Sequence, residues 1–230
     1  MRFGSTTTLT RGVTPAASVT TTERLVFIKK VYSLLALSIG TAAVGAYLGS
    51  GPLKPLVESL GWGLIILQFA LIFFASFAAR KPGLNMVALF SFTTVSGLTI
   101  GPLLYHHLNV NPEIVAEAFA LTAITFAGLS MYVVYSKKDF SFMSGFLMTG
   151  LIVLVVGGLL NMFFIQSGMM HFVMSGASVL LFSGFILYDT SNIMRYYGTD
   201  EYVSATLALY LDVLNLFIAL LSILGIMSDE

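Results

Sequence analysis

"SATLALYLDVLNLFIALLSILG", residues 204–225, holds one formally charged side chain, Asp212, in an otherwise apolar run. At 1.5 Å per residue a helix of this length rises about 33 Å, enough to cross the roughly 30 Å hydrocarbon core of a bilayer. No water is available in lipid to satisfy a bare backbone, so the run has to be a helix. Working outward, seven such stretches follow one another: about 31–49, 61–79, 84–104, 114–135, 142–165, 170–194 and 204–227. The breaks are short and polar or Gly/Pro-containing: "GSGPLKP", "RKPG", "HHLNVNP", "SKKDF", "QSGMM" and "YYGTDEY". The expected fold is an all-α integral membrane protein of seven transmembrane helices, with antiparallel neighbours in contact.

Composition supports that reading and excludes others. The chain has 57% hydrophobic and 10% charged residues, and its mean hydropathy of +0.92 is outside the range of soluble domains. A formal net charge of zero gives no basic excess for nucleic acid. With no cysteine there is no disulfide, thiolate metal site or thiol nucleophile. Residues 1–22 are Thr-rich and basic, lack the apolar core of a cleaved signal, and read as a flexible cytoplasmic tail. Thr20 and Glu23 have the spacing of a capping box, so the first helix starts outside the bilayer. Residues 23–230 then form a single transmembrane domain.

Lys and Arg set the orientation. Arg2, Arg11, Arg24, Lys29, Lys30, Arg80, Lys81, Lys137, Lys138 and Arg195 fall on one side of the spans and only Lys54 on the other. The positive-inside rule therefore puts the N-terminus in the cytoplasm and, after seven crossings, the C-terminus outside. Thr41, Gly45 and Gly49, and again Gly97 and Gly101, repeat small residues at four-residue spacing, which lets helices approach closely. Trp62 and the tyrosines near segment ends suit an interfacial belt.

Two carboxylates interrupt the last two spans. Asp189 lies six residues before Arg195, about 9 Å along its helix, and Asp212 eight residues after Ser204, about 12 Å along the next. The two helices run in opposite directions from one short turn, so both acids reach nearly the same depth. Asn192 and Asn215 follow them at i+3, placing a second polar group on each face. A lone ionised Asp at the centre of a span costs about 2.5–3.5 kcal/mol, so these side chains should face the interior. Two carboxylates at hydrogen-bonding distance cannot both ionise cheaply; they share a proton, and when both are ionised they offer oxygen ligands to a hard cation such as calcium. The alternative is a static polar clamp between helices.

Other polar groups carry weaker signals. Arg80 ends the second apolar run and either reaches an aspartate or serves as a positive-inside anchor. Glu113 and Glu117 begin the fourth span, where acids complement the helix dipole; Glu117, the deeper, could also line an outer vestibule. His106, His107 and His171 match no metal-ligand spacing.

The strings "VSGLTIGPLL" (95–104), "EAFALTAITF" (117–126), "KKDFSFM" (137–143), "ILYDTSNI" (186–193) and "SATLALYLDVLNLFIALLSILG" (204–225) resemble the Bax-inhibitor-one, or transmembrane Bax inhibitor motif, family and its bacterial members. The resemblance runs from the first helix to the C-terminus. It implies a seventh helix surrounded by the first six, residence in a bacterial cytoplasmic (inner) membrane, and a pH-dependent calcium leak controlled by two aspartates, which match Asp189 and Asp212. It also implies an arginine that locks onto the aspartate of helix six, and Arg80 stands near that place. Some proteobacterial relatives lack the aspartates and modulate a membrane-anchored AAA protease.

The function expected is a pH-sensitive calcium leak gated at Asp189 and Asp212, with Arg80, Asn192, Asn215 and Glu117 in support, calcium as the permeant or bound ion and no cofactor. A non-transporting regulator bound to a membrane-anchored protease is the alternative. An intramembrane aspartyl protease fits poorly, because the second acid sits in "LYLD" rather than a glycine-flanked GxGD. No enzyme activity is expected.

Overall fold

The computed structural model describes residues 20–79 and 81–228, and these are helical from end to end with short joints. The elements are α1 (Thr21–Ser50), α2 (Lys54–Leu60), α3 (Trp62–Ala78), α4 (Leu84–Val110), α5 (Pro112–Ser136), α6 (Ser144–Leu160), α7 (Gly168–Arg195) and α8 (Tyr202–Ser228). A 3₁₀ turn at Ser141–Met143 and a π turn at Asn161–Ile165 extend α6 at its two ends. The capping box is present: the Thr20 hydroxyl accepts from the Glu23 amide and the Glu23 carboxylate accepts from Thr20 N at 3.1 Å. Of the expected tail, residues 1–19 lie outside the described residues.

Six segments are long and apolar enough to cross a membrane, counting Ser141–Ile165 as one. The expectation of seven rests on α2 and α3, which qualify only as a pair and are bent by 85° at their junction. The sequence reading missed α2 altogether. Pro52 and Pro55 and the flanking glycines read as a plain break, yet seven residues coil there, and Gly61 at φ +44° redirects the chain into α3. A second difference concerns "HHLNVNP", expected to be a loop. Helix α4 runs on to Val110, and Asn111 alone makes the turn, with φ −149° and ψ 94°. Pro112 holds Asn111 in that extended conformation, and the Asn111 side chain accepts from Glu113 N at 3.3 Å to cap α5.

The closest approach is between α1 and α4. A Cβ on Gly97 would strike the Ala42 carbonyl, and one on Gly45 the Thr94 carbonyl, so glycine is required where the two backbones touch. Pro102 inside α4 offers no N–H to the Leu98 carbonyl, and that carbonyl lies against Gly49 of α1. The Thr41 and Thr93 hydroxyls meet at 2.6 Å in the same seam.

Helix α8 packs against α1, α4, α5 and α7, while α3 packs mainly on α4 and α6 mainly on α7. The resemblance implies six helices around the last one; four make its principal contacts. The main core gathers Val31 of α1, Leu89 and Phe92 of α4, and Leu209 and Tyr210 of α8, all at most 2% exposed. Leu147 is the one buried residue of α6, so this helix forms the rim of the bundle.

Candidate functional site

Asp189 and Asp212 occupy facing positions on α7 and α8. The first is six residues from the Arg195 end of α7, and the second ten residues into α8, which begins at Tyr202, two residues earlier than the sequence indicates. Their carboxyl groups stand within hydrogen-bonding reach of each other, and the Asn192 amide reaches Asp189 from one turn below. Asp212 is 4% exposed, and its Oδ2 is buried without a hydrogen-bond donor among the described residues. Neither acid has an ion-pair partner among those residues, where the single salt bridge is Lys54–Glu58. A proton on one carboxyl supplies the donor that the other lacks, so the geometry accommodates a singly protonated pair.

The surroundings hold α7 in place. The Thr190 and Ser130 hydroxyls stand 3.4 Å apart between α7 and α5. Ser191 Oγ accepts from Phe140 N at 3.1 Å and donates to Asp139 Oδ1 at 3.5 Å. Asp139 also accepts from Ser141 N at 2.9 Å and from the Tyr196 hydroxyl at 2.5 Å. These hydrogen bonds, Tyr196 first, hold the Asp139 carboxyl down to about 2. The Arg195 guanidinium donates to the Lys137 carbonyl across the same joint.

An open hollow of about 450 Å³ lies at this basic end of the bundle, lined by Ser141, Tyr188, Asn192, Tyr196, Tyr197 and Glu201. Asn192 is the link, since it lines the hollow and touches Asp189. Burial, then the nearby Asp189 and Glu201 charges, push the Tyr197 hydroxyl up. Glu201 accepts from Gly198 N at 3.0 Å, which fixes the α7–α8 turn at the mouth.

Asp189, Asp212 and Asn192 are thus brought together as the spacing indicates. Asn215 is turned to its own helix: its Nδ2 donates to the Leu211 carbonyl at 2.7 Å, a back-bond that competes with any bond across to α7. Glu117 is exposed near the start of α5, about 30 Å along that helix from Lys137, and so lies far from the pair. Arg80 falls outside the described residues. No group of three or more His, Asp or Glu among the described residues could hold a metal, so a cation at the pair would draw further oxygens from carbonyls and water. Sequence reasoning passed over Asp139, Tyr188, Tyr196, Tyr197 and Glu201. Only the juxtaposition of "KKDF" with "YDTSNIMRYYG" in space identifies them.

Comparison with known proteins agrees with this architecture. Residues 24–229 match the family model described as inhibitor of apoptosis-promoting Bax1. The chain is 41% identical over 209 residues to an uncharacterized membrane protein of Vibrio cholerae, covering 88% of this chain and 90% of the relative. It is 34% identical over 205 residues to the Escherichia coli modulator of FtsH protease YccA, with coverage of 88% and 91%. It is 33% identical over 213 residues to mouse protein lifeguard 4, with coverage of 90% and 88%. The matched profile spans every helix from α1 to α8, including both aspartates and the "KKDF" joint, and the chain is a multi-pass membrane protein of the Bax inhibitor family.

Proposed function

We propose that the protein is a pH-sensitive calcium leak of a bacterial inner membrane, a seven-span bundle built about α8 and gated by a proton shared between Asp189 and Asp212. The observation that supports this most is the buried Asp212 Oδ2, which has no donor among the described residues and stands within reach of a proton on the facing carboxyl. When the proton is present the two acids bind each other and tie α7 to α8. When it leaves, two adjacent charges repel, and either the helices separate or a divalent cation enters between the oxygens. Proton occupancy biases the two states through its different affinity for each. The hollow at Asn192 and Tyr197 is the entrance from the basic, cytoplasmic side, with Glu201 at its mouth.

Reconstitution tests this. Calcium flux from dye-loaded proteoliposomes should change with pH for the natural chain, and Asp189→Asn or Asp212→Asn should flatten that dependence, since a neutral amide cannot take up or release the shared proton. Unchanged pH dependence in both variants defeats the gating reading.

The name of the E. coli relative supports a second reading, in which the chain regulates a membrane-anchored protease and the acids are a structural clamp. Under it, vesicles show no flux, the protease co-purifies from the native membrane, and the asparagine variants lose stability alone. Cleavage of a model transmembrane peptide is expected under neither reading.

A further inference from the structure

A further cavity, about 370 Å³, lies at the same basic end but on another face, between the start of α1 and the ends of α5 and α7. Four cationic side chains rim it: Arg24, Lys137, Lys138 and Arg195. Its deeper wall is apolar. Leu25 and Ile28 lie one and four residues further into α1 than Arg24, and Val133 and Val134 each stand four residues before Lys137 and Lys138 on α5. Among the residues that face the groove the order is the same on both helices, with charge at the mouth and hydrocarbon below, while Lys29 and Lys30, next along α1, do not line it. Two of the cations are braced across the groove, because the Arg24 guanidinium donates to the Met194 carbonyl and that of Arg195 to the Lys137 carbonyl. Each guanidinium keeps further N–H donors for a ligand.

We propose that this groove is a binding site for an anionic phospholipid, with the phosphate between Arg24 and the lysines and an acyl chain along Leu25 and Val134. Charge complementarity selects the ligand, and depth makes it a lipid. The groove sits where three apolar spans end, so its mouth meets the headgroup layer and its wall meets the acyl chains. Leu25 and Val134 are 54% and 42% exposed, which leaves them open to such a chain. The N-terminal segment is the wrong occupant, since residues 1–19 carry Arg2 and Arg11 and no acid. A soluble anion would use the rim and leave the apolar wall bare.

Native mass spectrometry of the full chain in detergent tests this with phosphatidylglycerol against phosphatidylcholine of identical chains. The natural protein should retain phosphatidylglycerol preferentially. One basic residue beside an anionic headgroup is worth about a fivefold change in affinity, so Lys137→Gln with Lys138→Gln should weaken it about 25-fold and leave phosphatidylcholine unchanged. Lys29→Gln with Lys30→Gln removes equal charge from the same end outside the groove and should have little effect. Val134→Trp fills the groove without changing charge and should also expel the lipid, which covers the case of a lysine variant that does not fold. Equal retention of both lipids, equal loss in the Lys29/Lys30 variant, or displacement of phosphatidylglycerol by millimolar inorganic phosphate would each overturn the proposal.

Discussion

The hydroxyl of Tyr196 donates to the Asp139 carboxylate at 2.5 Å, joining the α5–α6 loop to the end of the helix that carries Asp189. That bond, with the Ser141 amide, lowers the Asp139 carboxyl from its ordinary 3.8 to about 2. A depressed carboxyl stabilises the fold fully above its unfolded value, and the contribution fades as pH falls through the folded one. The latch should therefore contribute fully from neutral pH to about pH 4, weaken progressively below that, and be lost as pH falls through about 2. Hydrogen exchange at the Ser141 amide, corrected for its intrinsic pH dependence, should be flat and then accelerate in that window; protection already lost at pH 5 would contradict the assignment. Asp139→Ala should remove it at every pH.

Deeper in the bundle the Tyr210 hydroxyl of α8 meets that of Ser96 on α4, and it also donates to the Thr93 carbonyl at 3.3 Å. Ser96 Oγ also lies 2.8 Å from the Thr93 carbonyl, so the two hydroxyl protons serve one bond between the hydroxyls and one to that carbonyl. Tyr210→Phe should cost about 1 kcal/mol, the usual net value of a buried hydrogen bond. Ser96→Ala added to it should cost less than Ser96→Ala alone, because the two hydroxyls form one network. Unfolding in detergent micelles gives both terms of the cycle.

Gly97→Leu should destabilise the bundle by about 3 kcal/mol or more, since the new side chain collides with the Ala42 backbone and the helices have to part. Gly128→Ala on α5 meets no atom within 4 Å and should be neutral or stabilising by up to about 1 kcal/mol. Comparable melting temperatures for the two would show that the α1–α4 seam is loose.

The natural chain has no cysteine, so a single introduced thiol reports on its own site. Asn192→Cys, in the wall of the hollow, should react with a water-soluble, membrane-impermeant thiol reagent applied from the basic end. Ile186→Cys, at a position with 0% exposure, should stay unmodified until the protein is unfolded. Reaction of Ile186→Cys at the rate of Asn192→Cys would mean that water does not stop at the hollow.

Much of this architecture was legible beforehand because a membrane restricts the choices. An apolar run of sufficient length has to be helical, and a short turn between two such runs makes depth countable, which is how Asp189 and Asp212 could be matched from their distances to Arg195 and Ser204. The capping box at Thr20 and Glu23 was readable for the same local reason. Helix α2 was hidden because seven residues with two charges carry no span signal, and Pro55 with Pro52 just before the helix suggests only a break. The back-bond of Asn215 to Leu211 was not readable, because spacing cannot show whether an amide bonds across to its neighbour or back to its own helix. The Asp139 latch involves residues 57 and 52 positions apart in sequence, Asp139 with Tyr196 and Ser191, a relationship that no local pattern encodes.

The contact between α1 and α4 also constrains how the protein can work. The atoms that a methyl group would strike at Gly45, Gly49, Gly97 and Gly101 belong to the main chain, so no rotamer change nearby could relieve the collision. These two helices accordingly form one tightly seated pair, and under the proposed gating the separation of the two acids would fall to α7 and α8 rather than to this seam.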